Sequence, residues 1–340
     1  MTSTDFIKYT GAIAALVLLP ACVSNSGTVT PANAASANSY VGRTLRIDGR
    51  PVTAARSSLT KLSYYATGYD SRTAKSTAKY WDYTINFYGT YASVFNYPKN
   101  TNEVDTINNV GGQGCTNKLF GYGKTTFWIM AAYNQISEYQ VGTKLLKSLS
   151  VSSNDMPSSC AMNLEGDLAV GMLDGTDSGD VAIFKKAKGR PKFYKSSLTQ
   201  EYFNGYDDKG NLFFDGFAGR DFQLDELPAG SSTTKVITTS NTVQFPGSVQ
   251  WDGKYMNVFD QLANQMYQYE IKGTKATLMN TITFTGSGDC AQTWIASKVV
   301  YCGDAALNDG LVFDYPAGGS PVATFVGNFD EPLGTVAAQK

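Results

Sequence analysis

Short runs with strand-like alternation of apolar and polar residues recur along this chain from Tyr80 to the C-terminus. In each unit, a turn leads into an apolar run, and five of these runs begin 43 or 44 residues apart. They begin at Lys124, Asp167, Asn211, Lys254 and Lys298. Tyr80 lies 44 residues before Lys124 and begins a sixth copy. The pattern therefore predicts six similar β-rich units.

A second landmark repeats with nearly the same period. The third run of each unit ends in an aromatic residue or Leu before a turn rich in Pro, Gly or Lys, and these ends lie 42 to 46 residues apart. They are Tyr97, Tyr139, Phe184, Leu227, Tyr269 and Tyr315. Four β-runs repeated at this length are typical of β-propeller blades, in which each four-stranded sheet is buried between its neighbours. The runs lack the 3.6-residue period of helical repeats.

The repeat thus predicts an all-β fold, a six-bladed β-propeller of four-stranded blades over residues 80–340. Because Tyr80 begins the second strand of the first blade, its inner strand must come from elsewhere. The segment from Glu331 to Ala338 follows the sixth unit, and we expect it to close the ring as that strand. Closure removes an otherwise exposed edge. A seven-bladed ring, with an eccentric blade from residues 40–79, is the alternative.

The N-terminus predicts export. An apolar stretch of 11 residues, Gly11 to Ala21, is too short to span a bilayer and suits a secretory signal peptide over residues 1–21. The sequence Leu-Pro-Ala-Cys that ends at Cys22 resembles the bacterial lipobox, with Pro20 in place of the usual small or β-branched residue. The resemblance implies that Cys22 is lipidated. An ordinary signal peptide cleaved near residues 32–35 is the alternative.

The residues that follow predict a tether. Residues 22–39 are small, polar and unpatterned, which is typical of a flexible linker. Residues 40–79 alternate weakly and are expected to form an irregular extension packed on the first blade. Val23, rather than Asp, follows Cys22, as in lipoproteins sorted to an outer membrane. We therefore expect an exported protein anchored by lipid to the cell envelope, at the outer membrane, the cell surface or in the periplasm.

Four cysteines remain if Cys22 carries lipid, and an even number in an exported chain suggests two disulfides. Cys115 and Cys160 occupy matching inner-strand positions in consecutive predicted blades. Cys290 and Cys302 flank one predicted hairpin turn, which places them opposite each other. We therefore expect the pairs Cys115–Cys160 and Cys290–Cys302, with buried free thiols as the alternative.

Composition removes several kinds of chemistry. The chain has no histidine, which excludes Ser-His-Asp and Cys-His catalysis and histidine metal sites. With 28 basic and 29 acidic residues, its charge is nearly balanced. We find no basic run or aromatic-basic platform, so nucleic acid is not an expected partner.

Carboxylates, amides and hydroxyls remain for a site, which we expect at the mouth of the central channel. The candidates are Asn117, Asn163, Tyr206, Asp207, Asp208, Trp251, Asp252 and Asp289. Oxygen ligands from several blades can hold Ca²⁺, and two carboxylates with separated pKa values can act as acid and base. The alternative is that the Asp-Gly segments are hairpin turns, where both residues are favoured for backbone reasons. The four tryptophans are expected to pack between blades.

Several phrases of the repeat resemble a group of uncharacterised exported bacterial propellers, broadly similar to NHL-type propellers. They include Gly-Asp-Leu-Ala-Val from Gly166, Val-Gln-Trp-Asp-Gly-Lys-Tyr from Val249 and Asp-Tyr-Pro-Ala-Gly-Gly from Asp314. The resemblance implies the fold and carries no assigned activity. More distantly, the architecture is similar to the gluconolactonase and regucalcin propellers, which hold a channel metal with Glu, Asn and Asp. Those ligands do not match residue by residue here.

The sequence thus predicts a membrane-tethered, extracytoplasmic and non-catalytic propeller, monomeric and without a cofactor, that binds a protein or carbohydrate at one face of the ring. The alternative is a hydrolase, lactonase or lyase that depends on a divalent metal such as Ca²⁺ and uses carboxylates at the central channel.

Overall fold

The computed structural model describes residues 45–47, 50–52, 80–87, 90–116, 123–124, 126–131, 134–151, 156–173 and 181–339. The chain divides into two units, residues 1–60 and 61–340. In the first unit, strands β1 (Leu45–Ile47) and β2 (Arg50–Val52) pair antiparallel. The predicted signal peptide, lipidation site and tether lie outside the described residues. Within the described residues, no helix is long and apolar enough to cross a membrane.

The second unit is an all-β arrangement of antiparallel sheets. Its first strands are β3 (Tyr80–Asn86), β4 (Tyr91–Asn96), β5 (Asn100–Asn108), β6 (Val110–Thr116), β7 (Gly123–Lys124), β8 (Thr126–Ala131), β9 (Gln135–Gln140), β10 (Leu145–Ser150), β11 (Met156–Met162), β12 (Leu168–Leu173), β13 (Val181–Phe184) and β14 (Lys192–Tyr194). A short 3₁₀ helix, Lys185–Ala187, separates β13 from β14.

The remaining strands are β15 (Gln200–Tyr206), β16 (Leu212–Ala218), β17 (Asp221–Leu227), β18 (Lys235–Thr239), β19 (Pro246–Trp251), β20 (Met256–Asp260), β21 (Gln265–Lys272), β22 (Lys275–Thr283), β23 (Cys290–Ala296), β24 (Val299–Asp304), β25 (Asp309–Asp314), β26 (Gly318–Phe325) and β27 (Pro332–Gln339).

Hydrogen bonding groups these strands into propeller-like sheets. Four-stranded sheets form in the orders β6-β8-β9-β10, β11-β12-β13-β14 and β23-β24-β25-β26. Strands β15 to β18 and β19 to β22 are also antiparallel sets of four, but Thr238 and Thr239 pair in parallel with Lys275 and Ala276. The sheets predicted as separate fourth and fifth blades are therefore one continuous eight-stranded sheet. Only the ends of their outermost strands make this junction.

The C-terminal strand pairs with the first strand of the repeat domain, as the sequence predicts. Strand β27 runs antiparallel to β3 with Val336 opposite Tyr83, and it also pairs with the two residues of β7. The Thr335 hydroxyl donates to the buried Asp82 carboxylate at 2.9 Å. The sheet β5-β4-β3-β27-β7 thus joins the two ends of the repeat domain.

Burial changes from the inner to the outer strands of each sheet. All seven residues of the inner strand β23 are buried, and so are seven of the eight residues of β27. The outer strands β10 and β26 instead alternate between exposed and partly buried positions. Alternate side chains of a strand point to opposite faces, so full burial requires cover on both faces. Neighbouring sheets provide that cover near the axis.

Aromatic side chains fill the spaces between sheets. Tyr83 of β3 stacks on Phe127 of β8 with ring centroids 3.8 Å apart. Phe95 of β4 stacks on Phe325 of β26 at 4.3 Å, which joins the first sheet to the last. Trp128 is fully buried in the same apolar core. Of the four tryptophans predicted to pack between blades, Trp128 lies in this core.

Both predicted disulfides are present. Cys115–Cys160 links inner strands β6 and β11 of adjacent sheets, with Cα atoms 5.7 Å apart. Cys290–Cys302 links β23 to β24, with Cα atoms 5.6 Å apart. The second pair is not directly opposite in register, since Cys302 faces Thr293 across an irregularity in the ladder. The separations nevertheless lie in the normal range for disulfides.

Glycines allow neighbouring inner strands to approach closely at the axis. A Cβ atom at Gly205 would lie 2.2 Å from the carbonyl oxygen of Val249, on β19. A Cβ atom at Gly334 would lie 2.1 Å from the carbonyl oxygen of Gly112, on β6. Since neither position has room for a side chain, the inner strands leave little space between them.

Candidate functional site at the propeller axis

A polar cavity of about 30 Å³ lies among the inner strands β6, β11, β15, β19 and β23. Roughly 10–15 Å³ of such volume holds one water molecule, so the cavity has room for about two. Its polar lining includes Gln113, Asn204, Ser248, Gln250, Gln292 and Thr293. Amides and hydroxyls, rather than carboxylates, therefore dominate this part of the axis.

Gln292 connects three inner strands through its side-chain amide. Its Oε1 accepts hydrogen bonds from the backbone N–H of Gly114 at 3.1 Å and of Thr335 at 3.0 Å. Its Nε2 donates to the carbonyl oxygen of Gly114 at 2.8 Å. Buried backbone groups require such partners. Gln292, on β23, thereby supplies them to β6 and β27.

Gln250 makes an equivalent link between β19 and β23. Its Oε1 accepts from the N–H of Ile295 at 2.7 Å, and its Nε2 donates to the carbonyl oxygen of Ile295 at 3.1 Å. Gln113 of β6 donates to the carbonyl oxygen of Tyr202, on β15, at 3.3 Å. These amides already serve the backbone. The axis is therefore a hydrogen-bonded core rather than an open channel.

Glu201 is a buried carboxyl group that bonds to the cavity residue Asn204. Ser158 Oγ donates to its Oε2 at 2.6 Å, and Ser159 Oγ donates to its Oε1 at 2.9 Å. Asn204 Nδ2 donates to Glu201 Oε1 at 3.2 Å. Burial raises the pKa of Glu201 to about 7, because its effect exceeds that of the three hydrogen bonds. This cluster joins β15 to β11.

A second buried carboxyl group, Asp215, lies near Glu201. Burial and the charge of Glu201 raise the pKa of Asp215 well above its usual range. Gly171 leaves space for the cluster, since a Cβ atom there would lie 1.8 Å from Glu201 Oε2. Glu201 and Asp215 are both fully buried. Their perturbed pKa values are therefore features of sheet packing, because neither carboxyl group can reach a substrate from these positions.

The structure brings two of the predicted site residues together at the cavity. Tyr206 ends β15 and Trp251 ends β19, and both line it. Tyr206 is buried, whereas Trp251 is partly exposed. Asn117 lies outside the described residues. Trp294 of β23, predicted only as a packing residue, lines the same cavity.

The polar candidates after the inner strands occupy hairpin turns. Asp207 Oδ1 accepts from the N–H of Lys209 at 2.9 Å and of Asn211 at 2.8 Å. Asp252 Oδ1 accepts from two N–H groups of its own turn in the same way. Asn163 Oδ1 accepts from the N–H of Glu165 and of Asp167. The alternative interpretation as turn residues therefore describes these three positions.

The other two acidic candidates are also separate from the cavity lining. Asp208 is an exposed turn residue. Asp289 directly precedes β23, so it lies at the opposite end of this inner strand from the turn that follows the strand. Burial, followed by the charges of Asp304 and Glu331, raises the pKa of Asp289 to about 8. Asp289 therefore lies at the other end of the inner strands from Asp207 and Asp252.

A repeated aspartate at the end of the second strand was missed in the sequence. Asp260 Oδ2 accepts from the N–H of Gln244 at 2.7 Å, and its Oδ1 accepts from the N–H of Ala263 at 3.1 Å. Asp304 Oδ1 likewise accepts from the N–H groups of Asp289 and Leu307, both at 3.0 Å. Asp260 and Asp304 lie 44 residues apart, so the repeat period contained the signal.

Among the described residues, no group of carboxylates converges on the axis. Their one group of three close potential metal ligands is Cys290, Cys302 and Asp304. The two cysteines form a disulfide and cannot act as thiolate ligands. The predicted carboxylates instead accept backbone hydrogen bonds in turns, as Asp207 and Asp252 do.

The sequence also contains a basic segment that the balanced total charge concealed. Residues 185–195 read Lys-Lys-Ala-Lys-Gly-Arg-Pro-Lys-Phe-Tyr-Lys, with six basic residues and no acidic one. All six basic side chains are exposed. The inference that the chain has no basic run is therefore wrong for this segment.

Comparison with known proteins identifies the fold. No family model matches the chain, and no curated protein sequence matches it. A chain of the nidogen/laminin complex is similar, with a TM-score of 0.60 at 10% identity, over 76% of this chain and 98% of that one. A protein of unknown function from Bacteroides caccae is similar, with a TM-score of 0.58 at 10% identity, over 77% and 100%.

A functionally unknown protein from Desulfotomaculum acetoxidans DSM 771 is also similar, with a TM-score of 0.50 at 8% identity, over 76% of this chain and 98% of that one. Likenesses at this level of identity concern the fold alone. Together with the sheet topology, they support a β-propeller for the repeat domain.

The buried carboxyl group of Glu201 predicts a pH-dependent stability. Its pKa is about 7 in the folded protein against 4.5 ordinarily, so the folded state holds this proton more strongly. The resulting stabilisation is present below about pH 4.5 and is lost as pH rises through 7. Glu201→Gln removes this titration. Between these two pH values, the free energy of unfolding of wild type, measured with urea, should fall by about 3 kcal/mol relative to that of the variant.

The exposed side chain of Gln140 supplies the control, since Gln140→Asn removes no ionisable group and should leave the pH profile parallel to that of wild type. A constant difference between wild type and Glu201→Gln across the range would contradict the role assigned to Glu201.

Proposed function

We propose that this protein is an exported, membrane-tethered propeller with six blades that binds another protein at one face of its ring. Six antiparallel sets of four strands support the blade count, once the paired outer ends of β18 and β22 are treated as a contact between blades. The two disulfides support export, because such bonds persist in oxidising compartments.

The size of the axial cavity is the observation that carries the binding proposal. A cavity with room for about two water molecules is too small to enclose an organic substrate. Gln250 and Gln292 in its lining are already bonded to backbone groups. A partner therefore binds outside the ring, where a macromolecule can contact a broad surface.

The turns that follow the inner strands form the face that suits such a partner. We call this end of the ring the turn face; it comprises residues 163–167, 207–211 and 252–255. Leu164 is 69% exposed there, which is the highest value among the large apolar side chains of the described residues. Trp251 is partly exposed beside the third turn. Exposed apolar groups rimmed by polar residues are typical of protein-binding sites.

The proposed attachment to the membrane involves the N-terminal segment of the chain. Lipidation at Cys22 would anchor the chain, and residues 22–39 would hold the propeller away from the membrane. The polar, small-residue composition of that linker supports this arrangement. The NHL-like resemblance of residues 80–340 agrees with an exported propeller. The alternative of a metal-dependent hydrolase, lactonase or lyase receives no support from the described axial residues.

Lipidation predicts a sharp difference between wild type and Cys22→Ser. When both are expressed in a bacterium fed labelled palmitate, wild type should carry label and sediment with the envelope. Cys22→Ser should be unlabelled and should lose most of its envelope association, because the anchor residue is gone. A wild-type chain that is unlabelled, and whose N-terminus lies near residues 32–35, would contradict the anchor.

The binding proposal predicts a face-specific contact. A photo-crosslinking residue at Leu164 should give one discrete protein adduct in the producing cell. The same residue at Val326 should not, because this 60% exposed position lies at the other end of the ring. Asp208→Arg, an exposed change in the neighbouring turn, should reduce the Leu164 adduct several-fold by altering the charge of the interface. Equal adducts at both positions, unaffected by Asp208→Arg, would contradict the assigned face.

A further inference from the structure

The basic segment between β13 and the end of the third predicted blade forms one continuous exposed edge. Within residues 185–195, the side chains of Lys186, Lys188, Arg190, Lys192 and Lys195 are exposed, and the segment has no acidic residue. We call these five residues the basic edge. With Lys185 included, the segment contains six of the 28 basic residues of the chain. The remaining 22 basic residues are outnumbered by 29 acidic residues. The positive charge is therefore concentrated in one place.

The acidic residues that the structure describes leave most of this positive charge without an ion pair. Lys185 pairs with Asp167 at 2.7 Å, so it contributes little to the edge. Among the described residues, none of the five residues of the basic edge has an ion pair within 4.0 Å. Lys147, on the neighbouring β10, pairs with Glu138 at 3.4 Å and donates to the carbonyl oxygen of Ala187 at 2.9 Å. That bond connects the edge to the adjacent sheet.

The backbone holds these cations in a fixed arrangement. The N–H of Lys186 donates to Asp167 Oδ1 at 2.9 Å, which secures the 3₁₀ turn to the preceding hairpin. Strand β14 pairs antiparallel with β13, with Phe193 opposite Ala182. The ammonium group of Lys192 lies 4.6 Å from the ring centre of Tyr194. The edge is thus an ordered surface rather than a flexible basic tail.

Apolar side chains accompany the charges. Phe193 lies between Lys192 and Lys195 of the basic edge and is 38% exposed. On the adjacent outer strand β10, Leu145 and Leu146 are 53% and 45% exposed. Cations mixed with exposed aromatic and aliphatic groups are characteristic of surfaces that lie on anionic lipid. The cations attract the headgroups, and the apolar side chains enter the interface.

We propose that the basic edge, with Phe193, docks the propeller against an anionic membrane surface. The choice of a membrane rather than an acidic protein or nucleic acid rests on the proposed tether, which keeps the propeller close to lipid and raises its effective concentration there. The acidic excess in the rest of the chain is repelled by the same surface, so the edge is turned toward it. Docking in this way orients the ring.

Vesicle binding tests the edge independently of the anchor. The full chain carrying Cys22→Ser is used throughout, and it is mixed with neutral phosphatidylcholine vesicles or with vesicles containing roughly one third phosphatidylglycerol. Binding should require the anionic lipid and weaken at high salt. Lys188→Glu with Lys192→Glu should lower the partition coefficient by more than about 25-fold. Losing each basic residue near such a surface costs roughly fivefold, and the two introduced carboxylates add repulsion.

A matched charge reversal elsewhere on the protein shows whether vesicle binding depends on the basic edge or only on the net charge. Lys99→Glu with Lys275→Glu changes two exposed lysines of other sheets, both outside the turn face, by the same total charge and should retain most of the binding. Phe193→Ser should reduce binding on anionic vesicles while circular dichroism and melting stay unchanged. Equal loss of binding in both double variants would overturn the proposal. It would also be overturned if the protein bound polyglutamate or DNA through the basic edge but did not bind anionic vesicles.

Such a failure would leave the tether and the turn face intact, because palmitate labelling at Cys22 and crosslinking at Leu164 do not depend on the basic edge.

Discussion

The narrow axis of the ring is the constraint on which the rest of this structure depends. Inner strands of different sheets meet there too closely for most side chains, as the contact between Gly205 and the carbonyl oxygen of Val249 shows. They nevertheless present backbone N–H and C=O groups that burial would leave without partners. Gln250 and Gln292 supply those partners with their side-chain amides. One amide can donate and accept at once, which suits a buried strand edge that has no neighbouring strand.

This axial core determines where function can lie. Its hydrogen bonds link sheets that are distant in sequence. Strand β27, which donates one of them to Gln292, also closes the first sheet. The buried Glu201 cluster joins neighbouring sheets in a similar way. Since the axis is occupied by groups that maintain the fold, a partner must use the outer surfaces. The turn face and the basic edge differ in chemistry, one apolar and one cationic, and we assign them different partners.

The repeating features of this fold could be predicted from the sequence, because each one recurs at a nearly constant spacing. The strand landmarks, the closing strand and the pairing of Cys115 with Cys160 all follow from that period. Features that occur once could not be obtained in this way. Gln292 and Gly114 are 178 residues apart, and nothing in the local pattern of either residue indicates the other. The two-residue pairing of β18 with β22 leaves no trace in hydrophobic alternation.

In the candidate site, too, some features could be predicted from the repeat and others could not. Tyr206 and Trp251 were found because the ends of inner strands converge, whereas Asp289 directly precedes such a strand and lies at its other end. The basic segment was visible in the sequence but hidden by a net charge of −1. Sequence position therefore indicated which strands surround the axis, and side-chain geometry was needed to show that the axis is filled.

Native-state hydrogen exchange at the backbone amides of Gly114, Ile295 and Thr335 tests the filled axis most directly. Each of these amides donates to a glutamine side chain. If the axis is a hydrogen-bonded core, all three should exchange only through large-scale unfolding, as slowly as the central strands of the sheets. Exchange as fast as that of amides in exposed turns would contradict such a core, because it would mean that the axis is an open, hydrated channel.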